Sequence, residues 1–245
     1  MKKIILISVV LLMFFQKSFS QNLLTFEYNP ILNNIFSIEL ELYKDSSMQI
    51  NHYIQFWEID HFVDSLGQYY NHIDLGGNIF IPIYKNVLNT KLSFAFGNGN
   101  YHSGGGDFRV LENASFGLDI NYSMNQKIEL NLFGYSSVHL SKGNGKRALI
   151  DRYRWNYSLN YRLSNLLKLG LILEQYFVTE TKPYIKITYS KYLWAGPTAT
   201  LNLLSNRLKI QSSLGADFID YIDSGVAEAQ KEIREFYKII IQYTF

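Results

Sequence analysis

The stretch Arg152-Tyr153-Arg154-Trp155-Asn156-Tyr157-Ser158-Leu159-Asn160-Tyr161 alternates without a break, with aromatic or aliphatic residues at the odd numbers and charged or polar ones at the even. Successive side chains of a β-strand point to opposite faces, so this segment reads as a strand with one apolar and one wet face. The same period of two runs through Lys127-Ile128-Glu129-Leu130-Asn131-Leu132. It returns at the end of the chain, where Phe236, Lys238, Ile240 and Gln242 alternate with Tyr237, Ile239, Ile241, Tyr243 and the terminal Phe245. One face of each segment suits lipid and the other water.

Working outward from these strands, short polar turns stand at Lys44-Asp45-Ser46, Lys85-Asn86, Asn125-Gln126, Ser164-Asn165 and Ser205-Asn206. They are spaced by about 40 residues, the length of a two-strand hairpin with its outer connection. Longer polar or glycine-rich connections fall between them, at Asp60 to Asn71, His102 to Leu111, Lys142 to Leu149, Thr179 to Lys182 and Asp223 to Lys231. Strands are accordingly expected to begin near Asn22, Asn34, Met48, His72, Thr90, Glu112, Lys127, Ile150, Leu167, Pro183, Leu208 and Glu232, about twelve in all. An even count closes an antiparallel barrel, and short turns alternating with long loops are the habit of bacterial outer-membrane barrels, whose periplasmic turns are tight. Both termini then lie on the periplasmic side. Pro183 to Leu204 is long for one strand and contains Trp194-Ala195-Gly196-Pro197, so a bulge or an overlong hairpin is expected there. The expected fold is all-β, a transmembrane antiparallel β-barrel of about 12 strands. Arg152, Arg154, Arg162, Glu129, Asn131 and Lys127 are expected to fill its lumen, which argues against a general porin.

Met1 to Ser20 is of a different kind. Lys2 and Lys3 precede the apolar run Ile4 to Phe15, and Ser18-Phe19-Ser20 stands before Gln21, the order of a charged region, an apolar region and a cleavage site. Residues 1–20 are expected to be an export signal cleaved after Ser20, leaving 21–245 as the barrel. The apolar run is shorter than the roughly 20 residues of a membrane-spanning helix. Losing Lys2, Lys3 and Lys17 takes the 23 Lys and Arg to 20 against 21 Asp and Glu, so the formal charge passes from +2 to −1. A nearly neutral chain is no candidate for nucleic acid. No cysteine is present among the 245 residues, which excludes disulfide scaffolds, thiolate zinc sites and cysteine nucleophiles. Nineteen Tyr and seventeen Phe against four Pro exclude a disordered or collagen-like chain.

The ending Tyr237-Lys238-Ile239-Ile240-Ile241-Gln242-Tyr243-Thr244-Phe245 resembles the C-terminal strand of bacterial outer-membrane proteins, which finishes on an aromatic residue used in assembly. The resemblance implies an outer-membrane location, with membrane lipid as the surroundings and other outer-membrane proteins or a second copy as partners.

One segment carries residues capable of chemistry. His139 and Ser141 lie two apart in Ser136-Ser137-Val138-His139-Leu140-Ser141-Lys142-Gly143-Asn144-Gly145, so they share a strand face, where an imidazole can take a hydroxyl proton. Together with Trp155-Asn156 this segment resembles outer membrane phospholipase A, whose pattern is His-x-Ser-Asn-Gly with Trp-Asn on the neighbouring strand. The resemblance extends upstream through Phe108-Arg109, roughly Ser103 to Leu163 in all. It implies His139 as base, Ser141 as nucleophile, Asn156 as the group orienting the imidazole, and calcium as the only cofactor. Parity, in contrast, groups His139 and Ser141 with Glu129 and Asn131, and Asn156 with Arg152 and Arg154, on the lumen face. The same stretch is similar to a bacterial outer-membrane family with a Ser-Ser-x-His-Leu signature, which implies no chemistry.

Elsewhere, His61 and His72 flank a connection with Asp60 and Asp64, and His102 stands near Asp107, but their spacing matches no metal site and solvated loop residues are expected. Ser103-Gly104-Gly105-Gly106 lacks the Lys-Ser/Thr of a phosphate-binding loop. Two functions follow: a non-enzymatic envelope barrel or accessory subunit of a larger outer-membrane assembly, with no cofactor, or a phospholipase A-like serine hydrolase of outer-leaflet phospholipid.

Overall fold

The computed structural model describes residues 22–29, 33–61, 68–84, 87–103, 108–143, 146–182, 185–218 and 234–245. The expected signal segment 1–20 and the connection Asp223 to Lys231 lie outside the described residues. Twelve strands follow in order: β1 Asn22–Asn29, β2 Asn33–Lys44, β3 Gln49–His61, β4 Gln68–Tyr84, β5 Leu88–Ser103, β6 Phe108–Ser123, β7 Ile128–Gly143, β8 Lys146–Arg162, β9 Leu167–Lys182, β10 Ile185–Leu203, β11 Leu208–Asp217 and β12 Arg234–Thr244. Each is antiparallel to its neighbours in sequence, and β1 pairs with β12 from Leu23 opposite Thr244 to Tyr28 opposite Ile239, which closes the barrel. Closure removes the unpaired edges that an open sheet would expose. Phe245 seals the seam, its N–H donating to Asn22 O (3.0 Å) while Asn22 N–H donates to Phe245 O (3.2 Å).

The burial pattern is inverted relative to a water-soluble protein. Arg152, Arg154, Glu174, Lys238, Asp74, Asn113 and Ser137 are buried, whereas Leu171, Leu173, Tyr157, Leu159, Phe96 and Ile241 are exposed. Alternation along each strand sends the first set to the lumen and the second to the outer wall. An exposed apolar wall of this extent is compatible with hydrocarbon and not with water, and strands of 16–19 residues exceed the roughly 9–11 needed to span a bilayer.

The short turns share one device. Asp45 Oδ1 accepts the N–H groups of Ser47 (2.7 Å) and Met48 (2.8 Å), and Asn125 Oδ1 accepts those of Lys127 (2.8 Å) and Ile128 (2.9 Å). Ser164 Oγ accepts those of Leu166 (3.2 Å) and Leu167 (3.1 Å). In each case the oxygen of the leading turn residue satisfies two amides that the ladder has left free. The turn between β10 and β11 differs, with Leu204, Ser205 and Asn206 all at positive φ (49°, 55° and 70°). The turn at Lys85-Asn86 lies outside the described residues.

At the opposite end four of the five expected connections are shorter than the sequence suggests, and β11 and β12 stand further apart, ending at Asp217 and starting at Arg234. Lys142 to Leu149, expected as a loop, is mostly strand: β7 and β8 stay paired to Gly143 opposite Lys146. Thr179 to Lys182 is likewise the end of β9. Pro183 to Leu204 supplies a single strand, β10, whose register slips against β9 between Ser190 and Tyr192, so the expected irregularity is a bulge and the count stays even. Further along β10, a Cβ on Gly196 would lie 1.9 Å from Leu214 O and one on Gly215 would lie 2.2 Å from Ala195 O. Only glycine allows the β10 and β11 backbones to approach this closely.

Depth should govern the cost of charging the wall. Leu171→Arg, in the exposed band of β9, is expected to destabilise the barrel by about 2–4 kcal/mol, and Leu166→Arg, in the turn before it, by about 0–1 kcal/mol. Urea unfolding in lipid vesicles compares them directly. A second expectation concerns Asp45, whose carboxyl is held well below the ordinary range by the Tyr43 hydroxyl (2.6 Å), then by the amides of Met48 and Ser47. A depressed carboxyl pKa stabilises the fold above the unfolded value near ~3.9 and loses that effect as pH falls. The stability gap between the natural chain and Asp45→Ala should therefore be full at neutral pH and shrink below about pH 4, as read from urea midpoints across a pH series.

Candidate functional site

The lumen divides into a packed middle and a more open end beside the short turns. At the middle, Glu174 is entirely withdrawn from solvent (0% exposed) and satisfied by three donors: Arg154 Nε (3.0 Å), Asn156 Nδ2 (2.6 Å) and Lys238 Nζ (2.6 Å). Arg154 also pairs with Glu27, which Lys238 approaches at 3.4 Å. Two carboxylates and two cations thus form a neutral, cross-linked quartet. Its members come from β1, β8, β9 and β12, and β8 lies five strands from β1 by one route round the barrel and seven by the other. The quartet therefore ties nearly opposite walls together. Buried charges are tolerable in this arrangement because each has an opposite charge and a hydrogen-bond partner.

Other groups pack the same layer. Asp74 accepts from Trp57 Nε1 (3.0 Å) and from Asn113 Nδ2 (2.7 Å). Gly97 makes room for this, since a Cβ there would lie 2.0 Å from Asp74 Oδ1. Trp57 in turn lies against Tyr135 (ring centroids 5.9 Å apart), and Trp194, wholly buried, stacks on Phe236 at 4.5 Å. Asp217, opposite Trp194 in the ladder, accepts the Leu193 N–H (3.0 Å). Large buried residues such as Trp57, Trp194 and Phe236 together with small ones such as Ala95, Ser137, Thr198 and Ser213 fill the interior, as small barrels require.

Towards the short turns the packing loosens. Glu129 is shared by Arg162 and Lys168 at 2.6 Å each, and Asp119 faces Lys91 at 3.9 Å. Beside them a cavity of about 610 Å³ opens, lined by Glu129, Arg162, Lys127 and the turns Ser123–Gln126 and Leu163–Asn165.

The register of β7 and β8 sets Asn156 apart from His139 and Ser141. The backbones of His139 and Ser141 lie two residues apart on β7, opposite Asn113 and Leu111 of β6; their side chains are outside the described residues. Asn156 stands opposite Phe133, six residues along β7 from His139. At about 3.3 Å per residue this is roughly 20 Å, far beyond hydrogen-bond reach. Asn156 instead holds Glu174, so it does not orient His139. The β7–β8 hairpin closes at Gly143–Lys146, and this carries Trp155-Asn156 deep into the barrel. Gly104 to Gly106 and the side chains of His61, His72 and His102 are outside the described residues. Among the described residues no group of three His, Asp or Glu is placed to hold a metal ion.

Parity reads the lumen correctly for Arg152, Arg154, Glu129 and Asn131. Lys127 is instead exposed in the turn at the cavity rim. Alternation along the last strand already sets Lys238 on one face with Phe236, whereas Glu27 and Glu174 are passed over, although each is a charge standing next to an apolar residue, Phe26 and Leu173, on a strand, which is the signal that would find them.

No protein-family profile matches the chain, and no curated protein matches it in sequence. The fold is that of bacterial outer-membrane β-barrels. The chain is similar to an outer membrane channel from Pseudomonas putida F1, with a TM-score of 0.63 and 10% identity over 92% of this chain and 94% of that one. It is also similar to the β-domain of the Bordetella autotransporter Brka, with a TM-score of 0.56 and 12% identity over 92% of this chain and 98% of that one. At these identities the likeness is one of fold.

Removing one member of the quartet leaves the others buried without full compensation. Glu174→Ala is expected to destabilise the barrel by about 3–5 kcal/mol, and Glu174→Leu combined with Lys238→Leu by distinctly less, because the double change deletes one charge of each sign. Urea unfolding in vesicles measures both.

Proposed function

We propose that this chain is an outer-membrane barrel with a lumen closed at mid-height, and that it serves the envelope through its wall and its loops, as a non-enzymatic barrel or an accessory subunit of a larger assembly. On this reading residues 1–20 direct export and are removed, and the short turns face the periplasm. The observation that carries the proposal is the Glu27–Arg154–Glu174–Lys238 quartet, which joins nearly opposite walls with Arg154, Glu174 and Lys238 at 7%, 0% and 3% exposure. Hydrated ions need a continuous water path, and a layer of mutually paired charges braced by Trp194, Phe236, Trp57 and Asp74 leaves little room for one. The Pseudomonas putida protein of similar fold is an outer membrane channel; the packed middle of this lumen argues for a different use of the same wall. The hydrolase reading loses its orienting group, since Asn156 is engaged by Glu174.

Purified full-length barrel reconstituted into planar bilayers is expected to show no steady conductance, and Arg154→Ala, which cuts the tie to β1, is expected to admit intermittent openings. A large steady conductance from the natural chain would overturn the closed-lumen reading. Fatty-acid release from phospholipid micelles that disappears in Ser141→Ala would overturn the non-enzymatic one.

A further inference from the structure

Four cations face the turn-side end of the lumen: Lys91 on β5, Arg162 at the end of β8, Lys168 on β9 and Lys209 on β11. Only Asp119 and Glu129 stand among them as carboxylates. Glu129 is divided between Arg162 and Lys168, and Asp119 reaches Lys91 only at 3.9 Å. Lys91 also sits 5.7 Å from the centroid of the Phe80 ring. Lys209 makes no hydrogen bond or ion pair among the described residues, although it lies in the combined field of Asp119, Glu129, Lys91 and Lys168. Arg162 Nε is shut off from solvent with no acceptor. Of the other carboxylates at this end, Glu39 and Glu41 stand on β2 and are engaged by Asn51 (2.5 Å) and Lys44 (3.7 Å), and Asp45, in the turn that follows, is held by the Tyr43 hydroxyl and the amides of Ser47 and Met48.

These four cations therefore carry two positive charges more than Asp119 and Glu129 balance, and of the cluster Arg162 and Glu129 line, with the exposed Lys127 and the turns, a cavity of about 610 Å³. Such an excess is costly in a partly desolvated place unless an anion completes it. Ammonium and guanidinium groups converging from several strands suit the oxygens of a phosphate group, and two uncompensated charges suit a diphosphate better than a monovalent ion.

We propose that the turn-side vestibule is a binding site for a small, water-borne diphosphate, held by Lys209, Arg162, Lys168 and Lys91. The cavity lies at the turn-lined mouth of the lumen, so the ligand arrives from the aqueous space on the side of the termini. Glu129 occupies two of the four cations in the empty state and is partly displaced when the ligand binds. The proposal is independent of whether the middle of the lumen conducts.

The test is calorimetric titration of the full barrel in zwitterionic detergent with sodium pyrophosphate at fixed ionic strength. The expected result is saturable binding of one ligand per barrel that weakens as salt is raised. Lys209→Gln should weaken it about tenfold, the loss of one charge-assisted contact. Glu129→Gln, which releases Arg162 and Lys168, should tighten it, whereas Lys44→Gln should leave it unchanged. Retained heat-modifiable gel mobility identifies the variants that still form the barrel. Absence of saturation in the millimolar range, or binding that neither Lys209→Gln nor Glu129→Gln alters, would overturn the proposal. So would binding to vesicles of anionic phospholipid with none to pyrophosphate.

Discussion

A carboxylate withdrawn completely from water is the constraint around which this barrel is arranged. Glu174 requires hydrogen-bond donors and a positive charge at close range, and it receives them from β8 and β12. Meeting that need from side chains on separate strands requires the lumen to be narrow at that height. The small residues facing inward nearby, Gly170, Thr198, Ser213 and Gly215, leave the volume that Arg154, Lys238 and Phe236 occupy. The inverted distribution of polarity has the same origin: lipid accepts Leu, Ile and aromatic residues outside, so whatever charge the chain carries at membrane depth has to be turned inward and paired there.

The interior grades from full compensation to partial compensation along the axis. At mid-height the quartet is neutral and closely bonded, and Asp74 is satisfied by neutral donors. At the turn-side end the carboxylates are outnumbered, distances lengthen and a cavity opens. Water reaches that end and screens part of the surplus, as it does not at Glu174.

Much of the fold is legible in the sequence because the period of two is strict wherever a strand is wet on one side and in lipid on the other. Strand starts after the short turns, such as Gln49, Ile128, Leu167 and Leu208, fall within a residue of where alternation resumes, since Asp45, Asn125 and Ser164 mark the turns by their chemistry. Starts at the far end are less legible. β4, β6 and β8 begin four residues before His72, Glu112 and Ile150, because the segments Gln68 to His72, Phe108 to Glu112 and Lys146 to Ile150 do not alternate strictly between apolar and polar residues. The central charges were partly hidden for another reason. Parity assigns a face to Arg154 but says nothing of which residue across the lumen meets it, a matter of register and barrel diameter. The same gap separates Asn156 from His139: adjacency of two strands is readable from order, but the register that sets them roughly 20 Å apart depends on where the hairpin closes.

The seam between β1 and β12 joins the first strand to the last, and it is short, with paired residues running only from Leu23 to Tyr28 on β1. So brief a ladder discriminates poorly between neighbouring registers by backbone hydrogen bonds alone. Lys238 and Glu27 supply the missing discrimination, since a slip of β12 by one residue would turn Lys238 and Phe236 outward and bring Tyr237 and Ile239 in. A lysine placed in the hydrocarbon midplane costs about 2–4 kcal/mol, and the slip would also strand Glu174. The quartet thus proofreads closure: it allows the cylinder to be completed in one alignment, and β12, the strand that meets β1 at the seam, carries the check.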